Sequence, residues 1–187
     1  MLRPDSEGDV WLPDQPVIMV HWGCAVGYCR WLAERSQQPW RLPGELEWEK
    51  AARGVDGRFF PWGDVLDPSW CCMRDSYPGR SELAVVDSFA VDESPFGVRG
   101  CAGNVRDFCA DLFTKEGPMT VAGRVEASVL PASVDLSLSA SRRVVRGGSW
   151  HPSQVDARLA DRYSSVPSFR YAHRGFRLAR SLAPFVL

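Results

Sequence analysis

Residues 41–54 read Arg-Leu-Pro-Gly-Glu-Leu-Glu-Trp-Glu-Lys-Ala-Ala-Arg-Gly. Pro43 stands where a first-turn residue needs no backbone N–H. Glu45, Glu47 and Glu49 fall early, Lys50 and Arg53 late, and Gly54 comes just beyond. That order complements the helix macrodipole and ends on a residue that readily leaves helical geometry, so it predicts a short helix over Pro43–Arg53. Upstream, Ala25, Val26, Cys29, Leu32 and Ala33 recur at three- and four-residue intervals, which predicts an amphipathic helix over Gly23–Arg35. Downstream the pattern gives way to turns at Val55-Asp56-Gly57, Pro61-Trp62-Gly63-Asp64, Tyr77-Pro78-Gly79 and Ser94-Pro95-Phe96-Gly97. Ala84–Phe89, Val144–Gly147 and Gly175–Ala179 are the strand candidates. Val121 to Ser141, rich in Ser, Ala and Val without periodicity, reads as a surface insertion.

The whole chain has 187 residues, 45% of them apolar and 24% charged, with a formal net charge of −1. A chain of this length supports one sizeable core without a disulfide framework. The balanced charge gives no general reason to bind nucleic acid or an anionic membrane, and neither is expected as a partner. The first residues lack a basic stretch followed by an apolar one, so a cytoplasmic location is expected. Of the 22 basic residues only Lys50 and Lys115 are lysines, and Trp reaches 8, which favours a core built on aromatic packing. The six cysteines, Cys24, Cys29, Cys71, Cys72, Cys101 and Cys109, form no zinc-type pair, and the three histidines His21, His151 and His173 stand singly.

Beyond residues 41–54, the ordered motifs are Pro16-Val17 through His21-Trp22, Tyr28-Cys29-Arg30-Trp31-Leu32, Pro61-Trp62-Gly63, Ala102-Gly103-Asn104-Val105, Arg146-Gly147-Gly148-Ser149-Trp150 and Gly175-Phe176-Arg177-Leu178. In that order the chain resembles the formylglycine-generating enzyme family, also called the sulfatase-modifying-factor family. The resemblance implies an α+β, C-type-lectin-like fold: a small twisted antiparallel sheet, two helices and much irregular loop. It covers residues 16–180. Residues 1–15 then form an N-terminal extension or truncated edge, 121–141 an insertion and 181–187 a tail; a minimal domain and a piece of a longer chain both remain open.

The family's founding reaction, by the same resemblance, oxidises a substrate Cys with copper held by two Cys shortly after the Gly-Gly-Ser-aromatic motif. Here residues 151–158 read His-Pro-Ser-Gln-Val-Asp-Ala-Arg, without Cys, so no copper is expected and no catalytic residue is assigned. Ser149 matches a family active-site serine but lacks the paired thiols. The disulfide positions of secreted relatives carry Leu159 and Leu178, leaving Cys29 without its partner, as suits a reducing compartment. One family calcium site is reduced here to Asn104, the Val105 carbonyl and Asp107, with Gly100 in place of an acid or amide. Calcium is the one cofactor the resemblance leaves open.

Between His151 and Arg174 the sequence contains no Lys, Glu, Trp, Met or Asn. Most of its residues lie in the set that adenine-directed mutagenesis of asparagine codons reaches, so the stretch resembles the diversified segment of retroelement variable proteins. His151, Ser153, Asp161, Tyr163, Ser164, Ser165, Phe169, Tyr171 and His173 are the ligand-binding candidates, with a protein or small molecule as partner. Rigid aromatics among small polar residues are the composition of a paratope. These features favour a non-catalytic binding module. Two alternatives stand beside it: a metal-dependent oxidoreductase of the same family, and a structural domain in a signalling assembly.

Overall fold

The computed structural model describes residues 12–78, 82–118, 120–121, 124–125, 142–151 and 157–182. Two helices are present. α1 spans Trp22–Ser36, capped where the His21 ring accepts the Cys24 N–H and ended by Gln37 in the left-handed region. α2 spans Glu45–Arg53, and Glu47 folds back to accept the Gly44 N–H at 2.8 Å. Both match the sequence expectation to within two residues, because caps and apolar spacing are local signals.

The strands are β1 (Trp40–Arg41), β2 (Arg106–Leu112), β3 (Thr120–Val121), β4 (Arg124–Val125), β5 (Arg143–Arg146), β6 (Arg162–Ser165), β7 (Arg174–Gly175) and β8 (Ala179–Arg180). The principal sheet has the order β6-β5-β2-β7, antiparallel except for the short parallel pairing of β2 with β7. β1 pairs with β8, and β3 with β4. The α+β, C-type-lectin-like class is as the sequence implied, with this one parallel pairing added. The predicted Val144–Gly147 strand is β5, shifted by one residue. Gly175–Ala179 instead splits into β7 and β8.

Ala84–Phe89 is not a strand. The Asn104 amide accepts the Ala84 N–H at 3.1 Å and donates to its carbonyl at 2.9 Å, so a side chain takes the hydrogen bonds a neighbouring strand would have made. β2 and β6 had no sequence forecast. Most of the proposed insertion at 121–141 lies outside the described residues; Val121 and the strand Arg124–Val125 are its described parts.

Alternation along β2 sends Phe108 and Ala110 to one face and Cys109 to the other. On the first face Trp22, Ala25, Val26 and Cys29 of α1 pack against Leu42, Phe108 and Val145, with Tyr163 and Leu178 at the margin. On the second, Trp48 and Ala52 of α2 pack against Cys101, Cys109, Val144 and Leu159. A third cluster, Phe60, Cys71, Met73, Ala102 and Ala157, fills the loop region. Gly148 has to be glycine, since a Cβ there would lie 2.0 Å from the Ala102 carbonyl oxygen. No helix among the described residues is long and apolar enough to cross a membrane.

Candidate functional site

Family-type motif residues mostly hold the fold. Arg146 donates to Glu45 at 3.1 Å, to Glu49 at 2.6 Å and to the Leu159 carbonyl at 2.7 Å. Arg162 grips the same Glu45 with two hydrogen bonds. Arg177 donates to Asp107 and to the Gly100 carbonyl, while Trp48 Nε1 donates to Asp107 at 2.8 Å.

That arrangement does not fit calcium. Both polar atoms of the Asn104 amide are spent on Ala84, and Asp107 Oδ2 accepts from an indole and from the Arg177 guanidinium, which stands where a cation would need room. The Asn104 amide and the Asp107 Oδ2 atom, expected with the Val105 carbonyl as calcium ligands, are thus engaged by protein partners. The three residues instead line a cavity of about 560 Å³ with Cys24, Tyr28 and Phe176. Among the described residues no group of three or more His, Cys, Asp or Glu side chains is placed to hold a metal ion. Burial pushes the Cys72 thiol up to about 11 and the Cys101 thiol up to about 12, so both are protonated near neutral pH in the metal-free protein. Ser149 is buried, and its hydroxyl has no partner among the described residues.

The sequence-predicted binding residues divide into two groups. Trp150, His151, His173, Tyr171 and Phe169 form one continuous row of rings, with successive centroids 5.4, 5.3, 5.4 and 6.2 Å apart. His151 and His173 stack with 20° between their planes. The loop carrying Phe169, Tyr171 and His173 is fixed through its backbone. Pro167, Tyr171 and His173 carbonyls accept N–H groups from Trp22, Met19 and Arg106, and the Ala172 carbonyl accepts Trp150 Nε1. Main-chain anchoring leaves the side chains to face outward. Phe169 and His151 are exposed, and Tyr171 and His173 are half-buried.

The β6 candidates do not join that row. Ser165 is buried, its hydroxyl accepting from Arg174 Nη1 at 2.5 Å, which corrects its expected exposure. Tyr163 packs against the α1 side of the core with the Arg106 guanidinium 3.5 Å from its ring centroid. Ser164 pairs with Val144 in the register and its hydroxyl accepts from Arg142 at 2.7 Å, so strand alternation turns it away from Tyr163 and Ser165. Asp161, half-buried just before β6, donates its N–H to the Arg158 carbonyl. Ser153 lies outside the described residues. Trp150, which was not among the binding candidates, begins the row. The spacing of Phe169, Tyr171 and His173 at every second residue was the signal available for grouping them.

Two helices on opposite faces of a small mixed sheet, with irregular loops presenting an aromatic row, define a C-type-lectin-like domain of the formylglycine-generating type. Residues 3–182 match the family model described as the sulfatase-modifying factor enzyme 1-like domain, and the chain belongs to that family. It is 33% identical over 182 residues to the formylglycine-generating enzyme of Thermomonospora curvata, covering 89% of this chain and 56% of that one. The chain thus spans about half the length of the curated enzymes it matches. Among solved structures it is similar to PvdO from Pseudomonas aeruginosa, with a TM-score of 0.74 and 25% identity over 93% of this chain and 65% of that one. It also shares its fold with Treponema denticola variable protein 1, at a TM-score of 0.68 and 21% identity, covering 95% of this chain and 77% of that one.

Proposed function

We propose that this domain is a non-catalytic recognition module that binds a protein or small molecule on the face formed by Trp150, His151, Phe169, Tyr171 and His173. The observation that carries the reading is the continuous ring row on a loop held by its backbone. Planar side chains with few rotatable bonds give contact area at low entropic cost, and exchanging them leaves main-chain anchors in place. The thiol pair that the family's oxidation needs has no counterpart at residues 151–158, which argues against the oxidoreductase alternative. The domain acts in the cytoplasm in this reading, in keeping with six unpaired cysteines.

Retroelement diversification of residues 151–174 is part of the proposal. It is supported by the restricted residue set there and by the name of the Treponema protein of like fold, a variable protein. Sequencing the 3′ end of the gene across a population of the host tests it: substitutions should cluster in adenine-derived codons for exposed positions. Substitutions spread evenly over the gene would overturn diversification. The recognition reading has its own test. Peptides selected on the protein from a random dodecapeptide library should lose binding when Phe169 and Tyr171 become Ala, and indifference to that change would sink it.

A further inference from the structure

Cys24, in the first turn of α1, is exposed while the other five thiols are buried. Two contacts tie it to His21. The ring Nδ1 accepts the Cys24 N–H at 3.1 Å, and Nε2 lies 3.3 Å from the Cys24 sulfur. Because Nδ1 is spent as an acceptor, the neutral ring carries its proton on Nε2, so an N–H faces the sulfur. Burial foremost, and then the charge of Arg170, lower the His21 pKa, which keeps the ring neutral at neutral pH.

The same thiol lines the cavity of about 560 Å³, a volume within the ~300–1,000 Å³ of small-molecule sites. Cys24 and Tyr28, four residues apart and so on one face of α1, both belong to its wall. Gly27 beside them leaves space open, since a Cβ there would have no atom within 4 Å. Pro16, Val17, Val20, Val86, Phe176 and Leu178 supply apolar surface. The charges on the lining are already matched: Arg99 pairs with Glu93 and Asp87, and Arg177 with Asp107. A guest therefore meets apolar walls and a thiol, with no unpaired charge calling for an ionic ligand.

We propose that Cys24 is a covalent acceptor site, which takes an apolar acyl group of medium chain length from a soluble thioester and lays the chain in the cavity. The sulfur adds to the thioester carbonyl carbon, the carbon–sulfur bond to the leaving thiol breaks, and the Cys24 proton ends on that thiol. One thioester replaces another, so no oxidant or reductant is consumed. As the sulfur gives up its proton, the His21 N–H and the amino end of the 15-residue α1 face the charge that gathers there. Apolar walls favour a chain over an acetyl group, because each methylene taken from water adds to the binding. The site uses none of the ring-row side chains and stands independently of the recognition reading.

The test incubates the intact protein with octanoyl-coenzyme A or acetyl-coenzyme A and follows adducts by intact mass and peptide mapping. Octanoyl should appear on Cys24 alone, about tenfold or more faster than acetyl and faster than on N-acetylcysteine at the same pH. Hydroxylamine should remove it. Val86→Asp, at an exposed position on the lining, should cut octanoyl transfer to near the acetyl rate and leave acetyl transfer unchanged. His21→Ser keeps a helix-capping oxygen but removes the ring N–H, and should slow both transfers about tenfold with the melting temperature held.

Equal octanoyl and acetyl rates in the unaltered protein overturn the acyl-chain site, as does octanoyl label that persists in Cys24→Ser. Octanoyl transfer no faster than to N-acetylcysteine overturns it as well, since the fold then adds nothing to the thiol. An undiminished rate in His21→Ser overturns the positioning role of His21.

Discussion

Glu45 and Arg146, 101 positions apart in the chain, meet at 3.1 Å with neither side chain reaching water. Arg146→Ala leaves the Glu45 carboxylate buried with only Arg162 beside it, and should cost about 3–5 kcal/mol. Arg41→Ala, which breaks the exposed pair with Glu47, should cost under about 1 kcal/mol. Urea denaturation of both variants separates the two cases; equal losses would contradict the structural role given to Arg146.

Phe169→Ala with Tyr171→Ala should leave the melting temperature nearly unmoved while removing binding at the ring row. Tyr163→Ala, by contrast, should destabilise by about 1–3 kcal/mol, since that ring packs against the core and lies under Arg106. Differential scanning calorimetry of the two variants tells surface from core.

His173 makes the fold acid-sensitive. Its folded pKa, about 4, lies below the ordinary 6.5, with burial the largest cause, then Arg174, Arg106 and His151; Tyr171 also packs against the ring. The folded state therefore binds fewer protons than the unfolded one between those values, so stability should fall as pH drops from about 6.5 to about 4. His173→Gln should flatten the pH dependence of the urea midpoint in that window.

Cys24 is exposed and the other five thiols are buried. A colorimetric thiol reagent should modify Cys24 promptly in the native protein and all six cysteines once it is denatured. A native count of two or more would contradict the burial of the other five thiols.

A sulfatase-derived Cys peptide incubated with the protein and copper should show no aldehyde product by mass spectrometry above a no-protein control. Formation of formylglycine would reverse the reading of residues 151–158.

The two helices were legible because their signals lie within a few residues: caps, acids early, bases late, apolar spacing. β2 was not, because Arg106 and Asp107 look like loop residues until their distant partners Tyr163, Trp48 and Arg177 are known. β6 reads Arg-Tyr-Ser-Ser and carries no apolar run for the same reason. At the site, composition singled out His151, Phe169, Tyr171 and His173, but the burial of Ser165 follows from Arg174 reaching its hydroxyl, a contact across nine positions that no local pattern encodes. Asn104 had the residue type for a metal ligand and serves as a substitute strand instead.

Asp107 pairs with Arg146 on one side and Gly175 on the other, and Trp40 at the start of the fold pairs with Arg180 near its end. During translation, then, the middle strand and the first must wait with open edges until almost the entire domain has left the ribosome. Contacts of such long sequence separation slow folding and expose nascent backbone to pairing with other chains. A nascent chain stopped before residue 174 should therefore depend on chaperones, whereas one carried past residue 180 closes both edges at once.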